Sequence, residues 1–85
     1  MEKILVVDDE RPILRVLTKY LKPKGYDVYT AQNGLEAIKM TMDIEPHVVL
    51  LDIIMPGMAG FQVLKEIKKI NPKIAVILLT AVIEE

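Results

Sequence analysis

The chain has 85 residues, no cysteine, and 11 basic side chains against 12 acidic ones, for a net charge of -1. That balance excludes a strongly basic nucleic-acid surface and a polybasic membrane anchor; without cysteine there is no disulfide scaffold, so a reducing, cytoplasmic setting is expected. An apolar share of 52% with only 5% aromatic residues predicts one domain, residues 1–85, with an aliphatic core.

The elements alternate along the chain. Ile4 to Val7 reads as a first strand and is closed by Asp8 and Asp9. Asp9-Glu10-Arg11-Pro12 then opens a helix, with Pro12 tolerated in the first turn. Ile13, Val16, Leu17, Tyr20 and Leu21 share a helical face and are expected to point inward, and Pro23 with Gly25 ends the helix. Tyr26 to Thr30 alternates and reads as a short edge strand. Asn33-Gly34 offers a cap to a second helix, whose inward face is expected to be Leu35, Ile38 and Met42. Pro46 stops that helix. Val48 to Leu51 is a strand apolar on both sides, closed by Asp52. After the Met55-to-Gly60 loop a third helix should turn Leu64, Ile67 and either Phe61 or Ile70 inward. Asn71-Pro72 ends it, and Ile74 to Leu79 forms the fourth strand, closed by Thr80. That last run is far too short to span a bilayer, and the N-terminus lacks the apolar stretch of a signal peptide.

Continuous apolar strands alternating with amphipathic helices predict an α/β architecture, a parallel sheet covered on both faces. Ligands of such sheets bind beyond the strand C-termini, where Asp8, Asp9, Asp52 and Thr80 should meet. Clustered carboxylates repel one another, and a hard cation relieves that cost. Mg²⁺ suits the set because it takes oxygen ligands and keeps several waters. Asp52 is then placed as a nucleophile toward a phosphoryl group, forming an acyl phosphate, with the Thr80 hydroxyl within reach of a phosphoryl oxygen. His47 falls at the opposite end of the sheet and reads as a surface residue. Lys3, Lys65, Lys68, Lys69 and Lys73 are likewise placed away from the acidic crevice.

The motifs Val6-Val7-Asp8-Asp9-Glu10, Leu50-Leu51-Asp52-Ile53-Ile54-Met55-Pro56-Gly57 and Leu79-Thr80-Ala81 resemble the receiver domain of two-component response regulators, and the similarity extends through Asn33-Gly34-Leu35-Glu36-Ala37. The resemblance implies a flavodoxin-like, doubly wound parallel sheet, here β-α-β-α-β-α-β with strand order 2-1-3-4. It implies phosphotransfer from a sensor histidine kinase or a histidine phosphotransfer protein to Asp52, in a signalling switch that turns over no external substrate. It implies that Asp9 binds Mg²⁺ directly, that Asp8 acts mainly through water, that the backbone carbonyl of Ile54 joins Asp52 as a ligand, and that Thr80 is the switch hydroxyl beside a small Ala81. Ala59 departs from the family, which often has an acid there.

The family also continues into a fourth helix, a fifth strand bearing a phosphoryl-clamping lysine, and a fifth helix. The expectation is therefore an incomplete receiver, truncated after its fourth strand, whose exposed edge favours a homodimer through edge pairing or domain exchange. The alternative to the phosphoacceptor reading is a phosphorylation-incompetent fragment acting as a self-associating interaction module. A small Mg²⁺-dependent phosphohydrolase is disfavoured, since Ile54 occupies the place of that chemistry's second acid. No contact with nucleic acid or membrane is expected.

Overall fold

The computed structural model describes residues 1–79. Four parallel strands, β1 (Lys3–Val7), β2 (Asp27–Ala31), β3 (Val48–Asp52) and β4 (Ala75–Leu79), form one sheet in the order β2-β1-β3-β4. The helices α1 (Arg11–Leu21), α2 (Gly34–Ile44) and α3 (Gly60–Ile70) connect them, with a single 3₁₀ turn at Lys22–Lys24 before β2. This is the expected flavodoxin-like winding. Each strand is displaced by at most one residue from its sequence-based bounds.

The sheet is covered on both faces because its central strand is apolar at every second position on each side. Leu5 and Val7 of β1, with Val49 and Leu51 of β3, pack under Ala37 of α2 and Val63 and Ile67 of α3. Ile4 and Val6 face the other way and meet Leu14 of α1, with Leu17, Leu21, Val28 and Leu50 around them. Each fully buried aliphatic side chain here contributes about 1.5–3 kcal/mol.

The inward faces of the helices differ from the sequence expectation. In α1 the buried residue is Leu14, flanked by half-buried Leu17 and Leu21, while Ile13, Val16 and Tyr20 are 40%, 64% and 63% exposed. Val16 stands about 200° round the helix from Leu14, so one sheet face cannot take both; the stripe over Ile4 and Val6 wins. In α2 the buried positions are Gly34, Ala37 and Thr41, with Ile38 half-buried and Leu35 and Met42 exposed. Small residues are selected there because α2 packs against α3 as well as the sheet: a Cβ on Gly34 would lie 2.7 Å from Val63 Cγ2 and 3.0 Å from Met58 Cβ. Thr41 is tolerated inside because its hydroxyl donates to the Ala37 carbonyl at 2.7 Å. In α3, Ile67 is buried as expected and Leu64 is half-buried, but Val63 shares the core while Phe61 and Ile70 are exposed.

The caps follow the sequence more closely. The Asn33 side chain accepts from the Glu36 N–H at 2.8 Å, and Glu36 reaches back to accept from the Gln32 N–H at 2.6 Å. Together these satisfy donors at the start of α2. At the opposite end of the sheet His47 and Lys3 tie β1 to β3. The Lys3 N–H donates to His47 Nδ1 at 2.9 Å, and the His47 N–H donates to the Lys3 carbonyl at 2.9 Å. Lys3 Nζ also donates to the Ile44 carbonyl at the C-terminal end of α2, where cations are favoured.

Candidate functional site

The site lies where β1 and β3 end side by side. Val7 is registered against Leu51, so the next residues on each strand, Asp8 and Asp52, emerge together. One carboxylate oxygen from each of Asp8, Asp9 and Asp52 lies within 4.8 Å of the others. Asp8 is buried, Asp52 is half-buried and Asp9 is exposed.

Local backbone geometry aims the two inner carboxylates. Asp8 accepts from the Glu10 N–H at 2.9 Å, and Asp52 accepts from the Ile54 N–H at 3.0 Å. Each is a side chain bonding the backbone two residues on, which turns the chain and fixes the carboxyl group. The Asp8 N–H itself donates to the Ala31 carbonyl at 3.1 Å, securing the end of β1 to β2. The loop after Asp52 is held from beneath: Met55 is buried in the α2–α3 core, and Gly60 sits against Ile53 so closely that any Cβ would overlap the Ile53 Cα and approach the Asp52 carbonyl at 3.1 Å. No periodicity in the sequence pointed to Gly60 or Met55 as supports of the site; only a backbone contact between the start of α3 and the end of β3 explains them.

Burial pushes the Asp8 carboxyl above its ordinary value of 3.8, opposed by the Glu10 N–H and reinforced by the neighbouring charges of Asp52, Asp9 and Glu10. Among the described residues the only ion pair is Lys69 with Glu66, so no lysine or arginine neutralises the cluster. The lysines fall where the sequence put them: Lys3 at the far end of the sheet, and Lys68 donating to the carbonyls of Pro72 and Ile74. Three oxygen donors converging without a protein cation fit a hard divalent ion such as Mg²⁺ in number and chemistry. Ile54 is 66% exposed beside Asp52, and its N–H, at least, is turned to that carboxylate. Leu79 of β4 pairs with Asp52; Thr80 and Ala81 lie outside the described residues.

The chain matches the family model of the response regulator receiver domain over residues 4–85. Solved structures agree. A response regulator receiver domain protein from Clostridium thermocellum is 40% identical over 94% of this chain, with a TM-score of 0.89. The response regulator protein TrrA from Thermotoga maritima, in complex with Mg²⁺-BeF, is 45% identical over 96% of this chain, with a TM-score of 0.90. The chemotaxis protein CheY4 from Vibrio cholerae is 30% identical over 99% of it, with a TM-score of 0.92. The chain spans 65%, 71% and 72% of those three chains respectively. This chain therefore belongs to the response regulator receiver domain family of two-component systems. No helix among the described residues is long and apolar enough to cross a membrane.

Proposed function

We propose that this chain is the phosphoacceptor switch of a two-component phosphorelay, with Asp52 as the residue that is phosphorylated. The observation that carries the reading is the convergence of Asp8, Asp9 and Asp52 on one crevice with no protein cation among the described residues. The donor is a histidine kinase or histidine phosphotransfer protein. A carboxylate oxygen of Asp52 attacks the phosphorus of phosphohistidine; the P–O bond forms as the P–N bond breaks, and the imidazole nitrogen leaves with the electron pair and takes a proton from solvent. Asp52 suits the role because it is half-buried among the acids and one of its oxygens is held by the Ile54 N–H, which fixes the carboxyl group.

Asp8, Asp9, Asp52 and the Ile54 carbonyl would hold Mg²⁺. When bound, the ion offsets negative charge on the carboxylates and on the incoming phosphoryl oxygens. By the family resemblance Asp9 would bind it directly and Asp8 would act mainly through water. Thr80 supplies the switch hydroxyl, and the charge added at Asp52 is read through its movement. The module turns over no external substrate, acts in the cytoplasm, and contacts neither nucleic acid nor membrane through this segment.

The test is intact mass before and after exposure to a small phosphodonor with Mg²⁺. A labile gain of one phosphoryl group in wild type, absent in Asp52→Asn, supports the reading; a gain that persists in Asp52→Asn overturns it. A second reading, a self-associating module that does not accept phosphate, has one observation in its favour. β4 is an edge among the described strands, and its Ile77 is 52% exposed. A dimer by light scattering that loses its partner in Ile77→Lys, together with no mass gain, would favour it.

A further inference from the structure

A groove of about 460 Å³ runs between α1 and the edge strand β2, starting at Arg11, two residues after Asp9. Arg11, Arg15 and Lys19 line one wall, and Thr30 and Gln32 line the other, with Leu14 at its base. The three cations recur every fourth residue, about 6 Å apart along the helix. None has a carboxylate within ion-pair distance among the described residues. Glu36, also on the rim, is already engaged by the Gln32 N–H.

Among the described strands, β2 beside this groove has an open edge. Residues of a parallel ladder turn their N–H and C=O alternately to one neighbour and the other. Asp27 donates to the Glu2 carbonyl and Ala31 accepts from the Asp8 N–H, so Asp27, Tyr29 and Ala31 face β1. Val28 and Thr30 therefore turn their backbone groups outward. Their side chains lie on the α1 side of the sheet, Val28 in the α1 core and Thr30 in the groove.

We infer that the β2 edge and the basic flank of α1 together bind an extended acidic segment of a partner protein, added to the sheet as a further strand. Such a strand would bond the Val28 and Thr30 backbone and place every second side chain over the groove. Alternate side chains in a strand are about 6.7 Å apart, close to the step between the cations, so carboxylates at positions i, i+2 and i+4 meet Lys19, Arg15 and Arg11 or the reverse. Main-chain bonds supply affinity and the charge spacing supplies selectivity. A compact anion fits less well, because three cations strung over about 12 Å do not converge on one point. The inference stands apart from the chemistry of Asp52.

The experiment is fluorescence anisotropy of the whole protein with labelled peptides. The probe is Ser-Glu-Val-Glu-Val-Glu-Ser, against an isomer with its three glutamates contiguous and two versions N-methylated either at the three glutamates or at the two valines and the C-terminal serine. The alternating peptide should bind at least ten-fold more tightly than the contiguous isomer. Exactly one N-methyl pattern should abolish binding, because only one set of N–H groups can face β2. Arg15→Glu and Lys19→Glu, both at exposed positions, should each weaken binding at least ten-fold while far-UV circular dichroism is unchanged. Equal binding of the two isomers, or indifference to both N-methyl patterns, would overturn the inference. So would displacement of the peptide by tripolyphosphate at a lower concentration than by the unlabelled peptide, which would make the groove a small-anion site.

Discussion

Replacing Asp8 by Asn should stabilise the protein in the absence of divalent cations and weaken its response to them. Asp8 and Asp52 carboxylate oxygens lie within 4.8 Å. Two unit charges at that separation repel by about 1 kcal/mol in water and about 3.5 kcal/mol at an effective dielectric constant near 20. Asp52 is half-buried, so solvent screening holds the value toward the lower end, roughly 1–2 kcal/mol. Asn keeps the oxygen that accepts from the Glu10 N–H and removes the charge. In a chelator the variant should therefore melt about 4–16 °C above wild type, given roughly 4–8 °C per kcal/mol for a domain of this size. The sign with pH follows from the raised Asp8 pKa. A carboxyl that binds its proton more tightly when folded contributes stability below its unfolded value, and that contribution is lost as pH rises through the folded one. The gap between variant and wild type should thus be closed below pH 3.8, widen as pH rises past it, and be fully open only above the raised folded value. Mg²⁺ should reverse the order, adding up to about 2.7 kcal/mol to wild type at one hundred times its dissociation constant and less to the variant. Differential scanning fluorimetry with EDTA and with Mg²⁺ reads all of this. An Asp8→Asn protein that melts below wild type in EDTA would refute the argument from charge repulsion.

Other outcomes follow from particular contacts. Gly60→Ala should cost about 1–3 kcal/mol through overpacking against Ile53 and slow phosphorylation of Asp52; urea denaturation and a phosphorylation time course check it. Leu14→Ala should cost about 2–4 kcal/mol, while Val16→Ala should stay within about 0.5 kcal/mol, since only Leu14 is buried; a shared cost in urea midpoints would mean α1 is rotated. Asn33→Ala should cost about 1 kcal/mol by leaving the Glu36 N–H uncapped, a loss that Asn33→Ser should largely recover.

The fold was legible because the strands carry their own signature. Four aliphatic runs separated by helix-length amphipathic stretches admit few topologies, and turn residues such as Asn33, Gly25 and Pro46 marked the breaks. The acidic cluster was legible because its members directly follow strands, where register alone brings Asp8 to Asp52. The helix faces were not. Periodicity counts apolar residues, but burial goes to the residues that fit between two surfaces. Ala37 and Thr41 outcompete Leu35 and Met42 because α2 is pressed against α3. The supports at Gly60 and Met55 were equally invisible, since a close backbone approach leaves no periodic trace.

That close approach has a mechanical consequence. Because Gly60 rests directly on the backbone of Ile53, the first turn of α3 and the peptide following Asp52 have no slack between them. A shift of the chain at residue 53 toward α3 would therefore meet the start of that helix at once, one residue from the Asp52 carboxylate.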